Sequence, residues 1–419
     1  MVIENSEFVF DPFDSRLRDD PYPAYRRLRD ESPVHHVEVD DLWVVTRHEH
    51  CTEILRNPTA FSSKTGIGKL MSGGLGKRAA DRIGDAVEPL QFLTDLRVLI
   101  ALDPPDHKRL RRLVNRPFTP REIGVHEDRI RQLSEDCFNG LLATNADGRA
   151  DWVKDYTWPF PVLVIAELLG VPTSLRDDFK RWSDDLVGFL GGVGPDPKAG
   201  VASFMEMFSF FHEAIAARRS EPSEDLISML IHNADADDEP LTADELVLFC
   251  VLLLVAGNET TTNLLSNAMK ILASDPALIA RLRDEPGMIP GAVEEVLRFD
   301  GPVQALPRGT TRSVSLDGVQ IPANSTVLVY FGAANRDERH FADPDRFELD
   351  RKTTDHIAFG SGIHLCLGAP LARLEARIGL ETLSSHVRNL ELTDTPVPTE
   401  GILLRGSRSM PIHLELAQA

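Results

Sequence analysis

One cysteine stands in a sequence context that favours chemistry. Cys366 lies in the segment FGSGIHLCLG, with Gly360 and Gly362 before it, Gly368 after it and a helical stretch beyond. A cysteine at a helix N-terminus meets backbone N–H donors and the positive end of the helix dipole, and both favour thiolate over thiol. Glycines lack a Cβ, so the backbone can lie close to a flat partner. This combination predicts a sulfur ligand for a metal held in a macrocycle.

A small residue, an acid and a hydroxyl form a second candidate group. Ala256 and Thr260 are four residues apart and therefore share one face of a predicted helix, with Glu259 beside Thr260. The small side chain leaves room for a flat ligand, and the hydroxyl one turn later can reach what binds there. Threonine can also donate to the carbonyl four residues earlier and bend the helix, which opens a groove.

Two further patterns place cations at helical spacing. Glu295 and Arg298 are three residues apart on one face, and an exposed pair of this kind contributes only about 0.2–0.5 kcal/mol. His107 and Arg111 are four residues apart in a helix that follows Pro104-Pro105. Taken singly, each of these cations is typical of a solvated surface.

Together these segments resemble the cytochrome P-450 family of haem-thiolate monooxygenases. Residues 359–368 fill every fixed position of the FxxGxxxCxG signature, 256–260 are similar to the family's acid–alcohol pair, and Glu295 with Arg298 matches its ExxR pair. The resemblance covers nearly the whole chain. It implies a mainly α P-450 fold with a small β region, a single domain over 1–419, and one haem b.

The resemblance also implies roles for individual residues. Cys366 would be the axial ligand of the iron, with Phe359 packed near the thiolate, and Ala256 would border the distal face of the haem. Thr260 and Glu259 would deliver protons during oxygen activation. The haem propionates would be held by His107, Arg111, Arg308 and His364. Glu295 and Arg298 would form a structural network with Arg346, which lies in the segment PDRF at 344–347.

The elements that must position these residues are mainly helical. The longest helix is predicted from Thr242 to about Ser274, because Thr242 and Glu245 form a capping box and Asp275-Pro276 stops the helix. A second helix is predicted from near Pro290 to before Pro302. A hairpin is predicted over 34–46 and short strands over 314–316, 319–321 and 326–330.

Two irregular, glycine-containing segments are predicted to be lids over a pocket. They cover 64–102 and 186–200, and the former reads as a long loop with one or two helical turns. The other predicted lining residues are Leu252, Ala256, Val303 to Leu306, and Ile402-Leu403-Leu404. Since these are overwhelmingly apolar, we expect a hydrophobic small-molecule substrate: a fatty acid, terpenoid, steroid or aromatic.

Composition and charge exclude several other classes. The 419 residues contain 45 Lys and Arg against 65 Asp and Glu, a formal charge of −20, which disfavours nucleic acids and anionic membranes as partners. The apolar run 246–256 is eleven residues, short of the ~20 that a membrane span needs. The four cysteines lie far apart without disulfide-like spacing. We expect a reduced, cytoplasmic, monomeric protein.

A basic cluster contrasts with this acidic balance. It consists of Lys108, Arg109, Arg111, Arg112, Arg116, Arg373 and Arg377. Such a run can be an ordinary solvated helix face, but the resemblance places both of its segments at the edge of the proximal face. It therefore predicts docking of an acidic, ferredoxin-type electron donor that passes on electrons from NAD(P)H.

Two alternatives share the same cysteine ligand. A peroxide-driven haem-thiolate enzyme would need no redox partner, and the intact Glu259-Thr260 pair counts against it. A non-enzymatic haem sensor would need neither that pair nor an apolar pocket. The sequence therefore predicts a monooxygenase that hydroxylates a hydrophobic molecule, with these two activities as the alternatives.

Overall fold

Helices make up most of the chain, as the sequence predicted. The computed structural model describes residues 10–71, 97–145, 147–190, 197–235, 239–352 and 354–417. The helices of the first half are α1 Tyr22–Glu31, α2 His48–Arg56, α3 Ser63–Met71, α4 Asp106–Val114, α5 Pro120–Gly124, α6 Glu127–Thr144, α7 Pro159–Leu169, α8 Arg176–Leu190 and α9 Pro197–Ser220. Those of the second half are α10 Leu226–Asp235, α11 Ala243–Ser274, α12 Pro276–Asp284, α13 Ile289–Asp300, α14 Phe331–Ala334 and α15 Ala369–His386.

Helix α11 is the central element of the helical part. It begins at the predicted capping box, in which the Thr242 side chain accepts from the Glu245 N–H and the Glu245 carboxylate accepts from the Thr242 N–H. It ends where Asp275 adopts extended backbone before Pro276. Its sides pack against α7, α8, α9, α13 and α15. By length and composition α11 could cross a membrane, but 67% of that apolar window is buried within the fold, as in a core helix.

The strands form a minor part of the fold and, among the described residues, make four small sheets. They are β1 Val34–Val37, β2 Leu42–Val45, β3 Phe61–Ser62, β4 Arg149–Asp151, β5 Ala305–Thr310, β6 Val314–Leu316, β7 Val319–Ile321, β8 Thr326–Tyr330, β9 Val387–Leu392, β10 Val397–Pro398, β11 Ser407–Ser409 and β12 Pro411–Leu416. The main sheet has the order β1-β2-β8-β5-β3, in which β2 and β8 are parallel and the other pairs antiparallel. The predicted hairpin and the predicted strands over 314–330 are confirmed.

Helix α3 packs directly on strand β5. A Cβ on Gly66 would lie 2.5 Å from the Cα of Arg308, and a Cβ on Gly309 would lie 2.1 Å from Oγ1 of Thr65. Real side chains do not approach backbone this closely, so glycine at 66 permits the contact. The helix is longer than the turn or two predicted for this segment, and residues 72–96 of the predicted lid lie outside the described residues.

The buried ion pair of α13 has a different third member from the one predicted. Glu295 and Arg298 are fully buried and joined at 2.7 and 2.8 Å. The guanidinium that completes the cluster belongs to Arg351, whose Nε lies 3.0 Å from Glu295 Oε1. The side chain of Arg346 is 77% exposed, and only its carbonyl oxygen takes part, accepting from Arg298 and Arg351. The prediction for Arg346 is therefore wrong, because the chain turns its side chain outward.

Candidate active site

A cavity of about 420 Å³ lies between α11, β5 and the segment that carries Cys366. Its size falls within the range of ligand pockets, roughly 300–1,000 Å³. Most of its walls are apolar. The predicted site residues that line it are Arg111, Ala256, Glu259, Thr260, Arg308, Phe359, His364 and Cys366. His107 stands behind His364, with their ring centroids 4.2 Å apart. Eight of the nine predicted site residues thus line one cavity, and the ninth, His107, contacts a lining residue.

The Cys366 loop is a compact turn ahead of α15. The Cys366 N–H donates to the carbonyl oxygen of Phe359 at 2.9 Å, which closes the loop. Gly360 and Gly362 have φ of 73° and 71°, a left-handed conformation that favours glycine. Sequence spacing alone indicated a turn here, and these angles explain why two glycines precede the cysteine.

Cys366 is exposed where its thiol opens to the cavity, and protein atoms surround the sulfur on its other sides. This burial raises the pKa of the Cys366 thiol above its ordinary value. Hydrogen bonding from the backbone N–H groups of Gly368 and Ala369 and the positive charge of Arg111 lower the pKa, but by less. The sequence pattern indicated the backbone N–H donors and the helix dipole, which favour thiolate, but not the burial that opposes them. A cationic metal in the cavity would add the attraction that thiolate needs.

Cationic and hydrogen-bonding groups converge at one edge of the cavity, where Asp103 acts on Arg308 and His107 through its charge but forms an ion pair with neither. Arg308 is 4% exposed, and burial lowers its pKa to about 10. Among the described residues it forms no ion pair, and its guanidinium donates to the carbonyl oxygen of Pro307. Nε2 of His107 and Nε2 of His364 are buried without a hydrogen-bond partner in the described part of the chain. Burial, Arg308 and His107 lower the pKa of His364 to about 3.

This donor set fits the carboxylates of a haem. Buried cations and orphaned imidazole nitrogens carry a desolvation cost that an anionic ligand relieves. Arg111, half-buried on α4, lines the same cavity. The four residues therefore have the chemistry that two propionates need.

The opposite wall carries Ala256 and Thr260. The Thr260 hydroxyl donates to the carbonyl oxygen of Ala256 at 2.6 Å, the bond that the sequence indicated. Since its proton is engaged there, the hydroxyl oxygen can accept a hydrogen bond from the cavity side. Ala256 presents little side chain, so α11 leaves space at this level.

Glu259 is buried next to Thr260 and faces a cation that the sequence did not reveal. Burial raises the pKa of Glu259 to about 7, although the positive charge of Lys180 acts in the opposite direction. Lys180 lies on α8 with its Nζ 3.5 Å from Glu259 Oε1, and it also bonds Asp184 one turn later. No local pattern identifies Lys180, because its role depends on the packing of α8 against α11.

The remaining wall agrees in part with the predicted pocket. Leu252, Val303, Leu306, Leu403 and Leu404 line the cavity. Ile402 does not; it packs on a separate core cluster beneath β2 and β8, so this prediction is wrong. Gln304 and Ala305 are also outside the lining. The residues of the two predicted lids that line the cavity are Ile67, Val98, Leu99, Ile100, Leu186, Val187 and Phe189. Residues 191–196 of the second lid lie outside the described residues. Lining residues that the sequence did not reveal include Phe118, Phe204, Phe249, Phe331 and Glu375.

The predicted basic cluster is partly neutralised. Arg109 pairs with Glu245 at the start of α11, Arg373 pairs with Glu294, and Arg377 pairs with Glu127 and Glu381. Lys108, Arg112 and Arg116, spaced by four residues, are exposed, and Arg112 also has an interaction partner. The patch predicted from charge alone is therefore smaller in the structure.

Comparison with known proteins agrees with this geometry. The family profile described as Cytochrome P450 matches residues 197–406. The chain is 38% identical over 401 residues to the cytochrome P450 monooxygenase PikC of Streptomyces venezuelae, across 94% of this chain and 91% of that protein. It is 36% identical over 410 residues to the vitamin D(3) 25-hydroxylase of Pseudonocardia autotrophica, across 96% of each.

Solved structures give the same result. CYP109Q5 of Chondromyces apiculatus matches with a TM-score of 0.85 at 35% identity, covering 98% of this chain and 99% of that one. CYP109E1 of Bacillus megaterium in complex with testosterone matches with a TM-score of 0.81 at 33% identity, covering 95% and 98%.

Proposed function

This chain belongs to the cytochrome P450 family, and from that premise we propose that it hydroxylates a hydrophobic small molecule. As a family member it is an oxidoreductase that incorporates oxygen and uses haem b. The observation that carries the finer proposal is one cavity on which Cys366, Thr260 and an apolar wall meet. Such a wall selects a substrate with few polar groups.

Some of the cavity residues would bind the haem, and others would take part in the reaction. Arg111, Arg308, His107 and His364 would hold the propionates, and the sulfur of Cys366 would bind the iron. When bound, the haem supplies the reduction of dioxygen and the transfer of one oxygen atom, favoured by thiolate ligation. The protein would orient the haem and the substrate, exclude water from the cavity and supply protons.

Thr260 and Glu259 are proposed to deliver those protons to the site of reaction. The Thr260 oxygen, with its own proton committed to Ala256, would accept a hydrogen bond from a group bound in the cavity. Glu259, with a pKa raised to about 7, can both hold and release a proton near neutral pH. Lys180 and Asp184 would reconnect Glu259 to solvent, since the side chain of Asp184 is 48% exposed.

The substrate is proposed to be a fatty acid, terpenoid, steroid or aromatic molecule. The wall above Ala256 is formed by aliphatic and aromatic side chains from α3, α8, α9, α11 and β5. Relatives whose names refer to vitamin D(3) and testosterone support this class.

Electrons are proposed to come from NAD(P)H through a ferredoxin reductase and a ferredoxin. Lys108, Arg112 and Arg116 give α4 and the turn after it an exposed basic face on a chain of charge −20. An acidic donor would be oriented by that face. We further propose that the protein acts in the cytoplasm as a monomer, with residues 1–419 forming one domain.

The proposal is tested by turnover and by the CO spectrum. NADH with added ferredoxin and reductase should yield hydroxylated product, whereas hydrogen peroxide alone should not. Product with peroxide alone would indicate the peroxide-driven alternative, and turnover under neither condition would favour a sensor. The reduced, CO-bound protein should show the red-shifted Soret band of thiolate ligation. Cys366→Ser should abolish that band, whereas Cys137→Ser, on α6, should retain it.

A further inference from the structure

The ring of Phe359, seven residues before Cys366, is covered by a guanidinium. The central carbon of the Arg373 guanidinium lies 4.5 Å from the Phe359 ring centroid, within the range of a cation–π contact. Phe359 lines the cavity together with Cys366, and its carbonyl oxygen accepts the Cys366 N–H at 2.9 Å. The backbone of Phe359 therefore helps to fix Cys366, and its side chain lies on the wall of the same cavity.

Arg373 is held in that position by a carboxylate on another helix. Glu294 of α13 accepts two hydrogen bonds from Arg373, at 2.7 and 2.9 Å, in the bidentate geometry that orients a guanidinium best. The same carboxylate lies 3.0 Å from Nε2 of His356, whose Nδ1 accepts from the N–H of Ala358. Although burial raises it, these partners hold the pKa of Glu294 at about 2, so it stays ionised.

We infer that the Glu294–Arg373 pair positions the Phe359 ring beside the sulfur of Cys366 and thereby protects the thiolate. This inference rests on the proposed role of Cys366 as the iron ligand. Glu294 holds both Arg373 of α15 and His356, and these two side chains border the Phe359 ring, with the His356 ring centroid 6.2 Å away. If the ring turned away, water would reach the sulfur. By donating hydrogen bonds or a proton to the thiolate, water would weaken the bond between sulfur and iron. Glu294 and Arg373 are accordingly positioning residues.

The alternative is that the pair is an ordinary surface ion pair, since the Arg373 side chain is 42% exposed. A neighbouring pair serves as the matched control. Arg377 and Glu381 lie one to two turns further along α15 and are joined at 2.9 Å. Among the described residues neither forms a ring contact with the Phe359 loop.

The test measures how long the reduced, CO-bound holoprotein keeps its red-shifted Soret band under mild urea. In Arg373→Gln and in Glu294→Gln the half-life of the band should shorten by about fivefold, the ratio for a contact of about 1 kcal/mol. Arg373→Lys keeps the charge but loses the planar fork, and should shorten it by about twofold. Glu381→Gln should match the wild type.

A double-mutant cycle tests whether the pair acts through the ring. In a Phe359→Leu background, Arg373→Gln should shorten the half-life no further. Fully additive effects would overturn the inference, as would wild-type half-lives in Arg373→Gln, Arg373→Lys and Glu294→Gln. Absence of the red-shifted band from the wild type would instead contradict the assignment of Cys366 as ligand.

Discussion

The ammonium of Lys180 lies 3.5 Å from Oε1 of Glu259, so the acid beside Thr260 has a cation partner supplied by another helix. The carboxyl is buried and its pKa is raised to about 7 by that burial, with Lys180 opposing the rise. Lys180 is in turn bonded to Asp184, which reaches the surface. The protonation state of Glu259 therefore depends on the contact between α8 and α11.

Lys180→Met should move the pH profile of the enzyme to higher pH. Without the nearby positive charge, the pKa of Glu259 rises further above about 7, so the carboxyl stays protonated in more alkaline solution. Product formed per NADH, measured as a function of pH, should fall through about 7 in the wild type and at a higher midpoint in the variant. Glu259→Gln should remove the titration. Arg181→Met, on the same helix, is the control, and an unchanged midpoint in Lys180→Met would contradict the linkage.

Thr260→Ala should uncouple electron consumption from product. Substrate binding and haem content should persist, because the hydroxyl is not an iron ligand. The cavity loses the oxygen that can accept a hydrogen bond, so product per NADH should fall by about tenfold or more while hydrogen peroxide accumulates. Thr260→Ser keeps the hydroxyl and should retain most of the coupling. A wild-type ratio of product to NADH in the alanine variant would refute the role of Thr260.

Arg351→Met should strongly destabilise the fold, whereas Arg346→Met should not. Removing Arg351 leaves the buried carboxylate of Glu295 with one partner fewer and frees three carbonyl oxygens, on Ala342, Asp343 and Arg346. Breaking a buried ion cluster costs about 3–5 kcal/mol. Arg346, 77% exposed, should change the free energy of unfolding by less than about 0.5 kcal/mol. Urea unfolding of both variants measures this, and the opposite ranking would show that the assignment is wrong.

Lys108→Glu combined with Arg112→Glu should slow reduction by ferredoxin. Reversing two charges on the exposed face of α4 removes the attraction for an acidic donor, so the first electron should arrive about tenfold more slowly at low salt. Stopped-flow reduction across an ionic-strength series checks this. Dithionite reduction and substrate affinity should be unchanged, and Lys154→Glu combined with Arg149→Glu serves as the charge-matched control. Equal rates for variant and wild type at low salt would show that the electron donor docks on another surface.

Arg109 is unsuitable for that experiment despite its position in the same basic run. Its guanidinium pairs with the buried carboxylate of Glu245 and donates to the carbonyl oxygen of Pro240. A glutamate there would place like charges together at the start of α11 and damage the fold. Loss of reduction in such a variant would therefore report misfolding rather than docking.

Local patterns were sufficient where the deciding interaction lies within one helical turn. The Thr242–Glu245 capping box located the start of α11 because both hydrogen bonds lie within three residues. The bond from Thr260 to Ala256 likewise lies within one helical turn. Such interactions depend on spacing along the chain, which the sequence displays directly.

Interactions between distant segments could not be read in the same way. Arg346 and Arg351 are five residues apart in an irregular segment, and only its path decides which one reaches Glu295. Lys180 meets Glu259 because two helices pack together, and Ile402 leaves the cavity because one turn points its neighbour Leu403 inward. Each of these outcomes is set by tertiary packing rather than by a motif.

The contact between Gly66 and the backbone of Arg308 has a consequence for redesigning the enzyme. Ile67, the next residue of α3, forms part of the cavity wall, while Arg308 on β5 is proposed to hold a propionate. Because α3 packs directly on β5, moving α3 outward to admit a bulkier substrate would also displace Arg308. Such a displacement would weaken the proposed binding of the propionate. Laboratory evolution toward larger substrates should therefore accumulate its changes on the α8–α9 side, at positions such as Leu186, Phe189 and Phe204, and leave Gly66 untouched.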